Sequence, residues 1–368
     1  MNEEFLEKKL RERRQANCLR SLILNDGKID FCSNDYLGIV KNNLLNKNVD
    51  STLLPHGSTG SRLLSGNYAL IEETEHLIAN FHAAPAGLIF NSGYDANIGL
   101  LASVPKKGDV VIYDQLSHAS LRDGIRLSFS DSLSFLHNDI NDLEKKISKA
   151  NGTVSNIFVV TESVFSMDGD TAPLDKIAVL CVQHNAALII DEAHATGVIG
   201  EMGEGLAQAS GFQDKCFARV HTFGKACGAH GAIILGSKKL REYLINFARP
   251  FIYSTALPPA EISAIAASYH LFPTLENERK QLHELINFFK KHNSKHEVIN
   301  SDTPIQGVVI PGNEQVKKVA DILQQNNFDV RAILYPSVPL GRERLRIVLH
   351  SFNTIAELSN LIAILNSV

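Results

Sequence analysis

Several things are missing from this sequence, and each absence removes a class of function. No G-x-x-x-x-G-K-[ST] loop occurs, which excludes a helicase-type nucleotide site. No long uncharged apolar run occurs, so no helical span of a bilayer is expected. Excess positive charge is missing too. The formal net charge is -4, which gives no electrostatic basis for binding nucleic acid or an anionic membrane. Cys18, Cys32, Cys181, Cys216 and Cys227 are scattered without a C-x-x-C pair, so neither a zinc site nor a disulfide framework is indicated. Met1 to Arg14 is too charged for a signal peptide, and a cytoplasmic location is expected.

What is present suits a globular enzyme. The 368 residues suit one large domain with a smaller one, or two domains, and 44% hydrophobic with 21% charged residues is ordinary for a globular enzyme. Phe5, Leu6 and Leu10 at helical spacing predict an amphipathic N-terminal helix that docks on the body, followed by a linker from Ser21 to Asp30. From about Leu70, short apolar runs alternate with helical stretches such as Ile71–Phe81 and Pro173–Gln183. Strands are predicted at Gly87–Phe90, Val110–Tyr113, Ile157–Thr161, Ala187–Ile190, Arg219–Thr222 and Ala232–Leu235. This alternation predicts an α/β fold with a mainly parallel sheet, and ligands then bind outside the carboxyl ends of the strands. Near Phe272-Pro273 the pattern changes to a long polar helix, Leu275–His292. It is followed by strand-like Val308–Ile310, a helix near Gln315–Gln325, strand-like Leu345–Leu349 and a last helix. The expected division is a helix and linker over 1–35, a large domain over 36–272 and an α+β domain over 273–368.

The most informative stretch is Thr222-Phe223-Gly224-Lys225, downstream of Asp191-Glu192-Ala193-His194. The run Ala186 to Ile190 reads as a buried strand that delivers Asp191 to its carboxyl end. A second strand, Ala218 to His221, brings Thr222 and Lys225 to the same edge. A single lysine in a glycine-containing loop is ordinarily a solvated surface residue. An Asp-Glu-Ala-His stretch also occurs in helicases, but those need the phosphate loop missing here. A carboxylate and a lysine so presented suit pyridoxal phosphate (PLP) chemistry: the amine holds the cofactor aldehyde as a Schiff base, and the aspartate keeps the pyridine nitrogen protonated.

Six segments, in order, carry a resemblance to one family. They are Ser33 to Gly38, Gly57 to Gly66, Asn91 to Tyr94, Leu116 to Ser120, Thr161 to Asp170, and Asp191 to Gly197 with Thr222 to Lys225. Together they resemble the α-oxoamine synthases, PLP enzymes of the aspartate-aminotransferase fold. Ser166 to Leu174 is most similar to the branch that joins L-alanine to a pimeloyl thioester with loss of carbon dioxide.

The resemblance implies roles for particular residues. Lys225 carries PLP, Asp191 bonds its ring nitrogen, and His118 stacks on the ring. Gly93 and Tyr94 open a helix whose N–H groups can receive the phosphate, with the Thr222 hydroxyl beside them. Ser166 and His194 hydrogen-bond the cofactor's phenolic oxygen. Ser254 and Thr255 reach the phosphate of a partner subunit, so a homodimer is implied. Arg346 clamps the α-carboxylate of the amino acid, since a guanidinium fork matches a carboxylate. Arg344 alternates with it along the strand and should face the same side. Arg20 contacts the acyl donor, carried on coenzyme A or a carrier protein.

Two departures bear on the acyl donor. The loop Ala226 to Gly231 contains Cys227 and His230 where relatives are richer in glycine, and Arg346 is followed by Ile347-Val348-Leu349-His350 where close relatives often carry threonine near the acyl chain. Glycine or serine with another acyl thioester is the alternative within the family. A catalytically inactive partner subunit is the alternative outside it.

Overall fold

The computed structural model describes residues 2–24, 27–45, 54–292 and 295–368. The chain forms two compact units. One gathers Met1–Tyr36, Met167–Asp170 and Lys280–Val368, and the other holds Leu37–Ser166 and Thr171–Arg279. The N-terminal segment belongs with the C-terminal unit, and the break falls at Lys280, within ten or so residues of the 272/273 boundary read from the sequence. Aromatic packing explains the shift. Phe272 lies against Phe81 and Tyr269, and Arg279 donates to the carbonyls of Phe272 and Glu201, which keeps 273–279 with the larger unit.

Strands along the described chain are β1 (Ile29–Asp30), β2 (Ala86–Phe90), β3 (Val110–Asp114), β4 (Asp131–Phe135), β5 (Ile157–Glu162), β6 (Ala187–Asp191), β7 (Cys216–Thr222), β8 (Ala232–Gly236), β9 (Ile305–Val309), β10 (Phe328–Asp329), β11 (Arg331–Ile333) and β12 (Arg344–Val348). The larger unit is built on a seven-stranded sheet in the order β2-β8-β7-β6-β5-β3-β4. β8 runs antiparallel to both neighbours, and all the other pairs are parallel. Side chains alternate between two cores. Val111, Phe158, Val160 and Ile189 enter one, while Val110, Ile112, Ile157, Val159, Leu188 and Ile190 enter the other. Helices cover both faces, which is why the central strands read as unbroken apolar runs.

Helices used below are α1 (Glu4–Gln15), α2 (Ala69–Phe81), α3 (Gly93–Ser103) and α4 (Ala119–Leu127). No residue of α1 is buried, and Phe5, Leu6 and Leu10 are exposed, which corrects the expected docking on the body. Helical spacing shows which face is apolar and says nothing of what covers it. Of the predicted linker, residues 25 and 26 lie outside the described residues.

In the terminal unit, β11, β12 and β9 form an antiparallel sheet in that order, and β1 pairs with β10. The last helix, Ile355–Ser367, starts at a capping box in which Thr354 and Glu357 satisfy each other's backbone N–H groups.

Candidate active site

Register brings the strand ends of the larger unit level with one another. Glu162 of β5 lies opposite Asp191 of β6, and Asp191 lies opposite Val220 of β7. Thr222 lies opposite Ala232 of β8, which lies opposite Phe90 of β2. The residues that follow these ends therefore share one edge: Gly93 and Tyr94 after β2, Ser166 after β5, His194 after β6, and Lys225 after β7.

Lys225 sits in a loop held by its own backbone. Phe223 N–H donates to the Gly231 carbonyl, Ala229 N–H to Phe223, and Gly228 N–H to Lys225. Gly231 has φ +112°, and a Cβ there would meet Leu257 and the Phe90 carbonyl, so this turn requires glycine. The Lys225 Nζ lies 2.6 Å from His194 Nε2. His194 itself is buried on the short turn after Asp191.

Asp191 is buried and tightly held. Its Oδ1 accepts the Ala193 N–H at 2.9 Å and its Oδ2 accepts from Asn97 Nδ2 at 2.8 Å. Beside it, Glu162 accepts the His118 N–H on Oε1 at 2.6 Å. Burial, reinforced by the negative charge of Asp191, pushes the Glu162 carboxyl up to about 8. The His118 imidazole is held below its usual range by desolvation and by the Lys225 ammonium, against an opposing pull from Asp191. At the start of α3, Ser92 caps the Asp95 N–H, and the N–H groups of Gly93 and Tyr94 lie in the first turn, where no intrahelical acceptor is available. The Tyr94 hydroxyl is bonded to Asp123.

Ser254 and Thr255 lie on a segment strapped to the 57–68 region. Ala256 N–H donates to the Gly60 carbonyl, and both Ser58 and Tyr68 donate to the Leu257 carbonyl. Asn91 Nδ2 donates to the Thr255 carbonyl. Under this strap Arg62 is buried in an ion-pair network with Glu72 and Glu75, which Arg241 also joins.

In the terminal unit the two β12 arginines differ. Arg344 is buried, donates to the Arg342 carbonyl and pairs with Asp168. Arg346 is half-buried and donates to Asn34 Oδ1 at 3.0 Å. Arg20 is exposed beyond the end of α1 and donates to Ser337 Oγ at 3.1 Å. His350 is fully buried between Ser33 and Asn353, and its ring is a structural tie within this unit. Cys227 is fully buried, and burial pushes its thiol up to about 12, far from any reactive thiolate. His230 is exposed, with its N–H on Glu261.

Sequence reasoning missed Asn97, Ser120 and Glu162 as site residues. Glu162 was detectable only as the polar end of an apolar run, and Asn97 only as a polar residue among the apolar residues of its helix.

The donor set fits PLP. A buried carboxylate, an amine beside an imidazole and a helix N-terminus share the edge. A Cβ on Gly93 would lie 3.4 Å from Thr222 Oγ1, in the space between helix end and hydroxyl. The comparisons agree. The family "Aminotransferase class I and II" matches residues 26–365. The 8-amino-7-oxononanoate synthase of Emericella nidulans is 40% identical, covering 98% of this chain and 94% of that one. The enzyme of the same name from Lysinibacillus sphaericus is 37% identical, over 99% and 94%. The crystal structure of 8-amino-7-oxononanoate synthase from Francisella tularensis superposes with a TM-score of 0.78 at 29% identity, covering 93% of this chain and 98% of that one. A serine palmitoyltransferase from S. paucimobilis, solved with a PLP–myriocin aldimine, shares the fold with a TM-score of 0.86 at 23% identity, over 99% and 96%.

The chain therefore belongs to the class I and II aminotransferase family, with the aspartate-aminotransferase fold. It is a PLP-dependent acyltransferase of the α-oxoamine synthase type, most similar to 8-amino-7-oxononanoate synthases. Among the described residues no helix is long and apolar enough to cross a membrane.

Proposed function

We propose that this enzyme condenses L-alanine with a pimeloyl thioester, releasing the thiol and carbon dioxide, to give 8-amino-7-oxononanoate for biotin synthesis. The observation that carries the reading is the full-length identity of 35–41% to proteins of that name, joined to the Lys225–His194–Asp191 arrangement. PLP, when bound, supplies an electron sink for the α-carbon of the amino acid.

The chain's own residues do the rest. Lys225 Nζ holds the cofactor, takes the α-proton of alanine and later returns a proton to the product. Asp191, aimed by Asn97 and Ala193, keeps the ring nitrogen protonated. His118 covers the ring and keeps water from it. Ser166 and His194 direct hydrogen bonds at the phenolic oxygen, and Gly93, Tyr94 and Thr222 receive the phosphate. Arg346 fixes the α-carboxylate, a task Arg344 is less suited to while paired with Asp168. Arg20 meets the acyl donor, coenzyme A or carrier protein. Ser254 and Thr255 act on the partner's phosphate in a homodimer. The division into a cofactor domain and a smaller domain of N- and C-terminal segments serves these roles.

The test is direct. Purified enzyme is offered alanine, glycine or serine with pimeloyl, succinyl or palmitoyl thioesters. Alanine with pimeloyl thioester should give the highest kcat/KM. Preference for glycine or serine, or for another acyl chain, moves the enzyme to another branch of the family. Complete inactivity would favour the inactive-subunit reading, which retention of Lys225, Asp191 and His118 together opposes.

A further inference from the structure

Asn97 is a polar side chain in an apolar place. It projects from α3 beside Leu100 and Leu101 and is only 2% exposed. Its amide orientation follows from chemistry. Asp191 can only accept, so the group 2.8 Å from Oδ2 must be Nδ2. The second proton of that nitrogen points to Ser120 Oγ at 2.9 Å. Among the described residues the Asn97 oxygen has no hydrogen-bond partner, so the side chain is held there by its two donations.

The chain of bonds continues. Ser120 Oγ accepts from Asn97, so its own proton is available for His118 Nδ1, 2.8 Å away. The Ser120 backbone N–H reaches the same nitrogen at 3.2 Å. Nδ1 is thus an acceptor from two sides, and a neutral His118 ring must carry its proton on Nε2. Glu162, on the strand adjoining Asp191, accepts the His118 backbone N–H.

We propose that Asn97 is a positioning residue that locks Asp191 and, through Ser120, the Nε2–H tautomer of His118 into one rigid hydrogen-bonded frame. The two groups assigned to the ring nitrogen and the ring face then cannot turn independently. The positioning role rests on the proposed PLP roles of Asp191 and His118; the tautomer assignment does not.

The test uses 15N-histidine-labelled protein as purified, with the His118 signals identified by difference against His118→Gln. The wild type should show an unprotonated Nδ1 and a protonated Nε2 across neutral pH. Ser120→Ala removes the hydroxyl donor, and Asn97→Ala removes the group that orients it. Both should shift the Nδ1 signal toward the average of a tautomer mixture. Asn97→Ala should also lower kcat about ten- to a hundredfold, because it removes a hydrogen bond to a buried charge. Ser120→Ala, which leaves Asp191 bonded, should lower it less, and Ser120→Thr should restore the wild-type Nδ1 signal. Should Asn97→Ala fail to fold, the two Ser120 variants decide the tautomer claim. A His118 protonated on Nδ1 in the wild type, or a tautomer unmoved in Ser120→Ala, overturns the frame. A protein without bound PLP would contradict the functional reading, while the NMR signals still decide the frame.

Discussion

The strand-end edge of the larger unit and the β12 strand of the terminal unit treat their charged groups differently. At the edge, Asp191, Glu162 and His118 are each tied by hydrogen bonds from a neighbouring strand, turn or helix. On β12, two arginines two residues apart have separate fates: Arg344 is buried in an ion pair, and Arg346 is half-buried against Asn34. A fixed edge suits chemistry that is the same for every substrate. A less buried guanidinium suits a substrate group that arrives and leaves. The contrast separates the machinery from the residue proposed to choose the amino acid.

Removing the amine should have the largest effect. Lys225→Ala is expected to lose at least about 10³-fold in turnover, because the proposed role has one group both hold the cofactor and move the proton. Steady-state assays on the purified variant check this, and turnover near wild type would place both tasks elsewhere. Asp191→Asn keeps the shape and removes the charge. A loss of about 1.5–3 kcal/mol, or roughly ten- to a hundredfold in kcat, is expected. Cofactor absorbance should show PLP still bound, and unchanged kcat would mean another group supports the ring nitrogen.

The two arginines give a sharper split. Arg346→Leu should raise the KM for alanine about tenfold or more and leave that for the thioester nearly unchanged, since only the amino acid offers the α-carboxylate. Arg344→Leu should act mainly on stability, because it leaves Asp168 without its ion-pair partner, at a cost of a few kcal/mol. Thermal melting and kinetics varying each substrate in turn separate the two. If Arg346→Leu weakens both substrates equally, or Arg344→Leu alone raises the alanine KM, the assignment is reversed.

The smallest effect concerns Glu162. Its carboxyl is raised in the folded state to about 8, so the folded protein holds a proton that the unfolded chain releases above the ordinary carboxylate range. Its contribution to stability is therefore fully present in acid and is lost as pH rises toward about 8. Glu162→Gln should flatten the fall in melting temperature between pH 5 and 8 by a measurable fraction. An identical slope in wild type and variant would show that Glu162 is ionised throughout.

The sequence made some of this legible and hid the rest, for physical reasons. Strands β5 and β6 are buried on both faces, so they read as apolar runs whose polar ends, Glu162 and Asp191, mark the carboxyl edge. β4, Asp131-Ser-Leu-Ser-Phe, is an edge strand with four exposed residues and carries no such signal, so it went unpredicted. Asn97 and Ser120 were hidden because their partners are set by which helices meet below the sheet edge, and sequence spacing does not encode that. Arg344 and Arg346 show the same limit: alternation put them on one side of β12, but only the fold shows that Asp168 occupies the first.

In the proposed mechanism, Lys225 holds PLP at the strand-end edge. Borohydride reduction of the purified yellow protein, followed by peptide mapping, tests it most directly. One modified residue per chain, Lys225, is the predicted result. A label fixed on any other lysine, or no label on a protein that still turns over alanine, would take the cofactor away from Lys225.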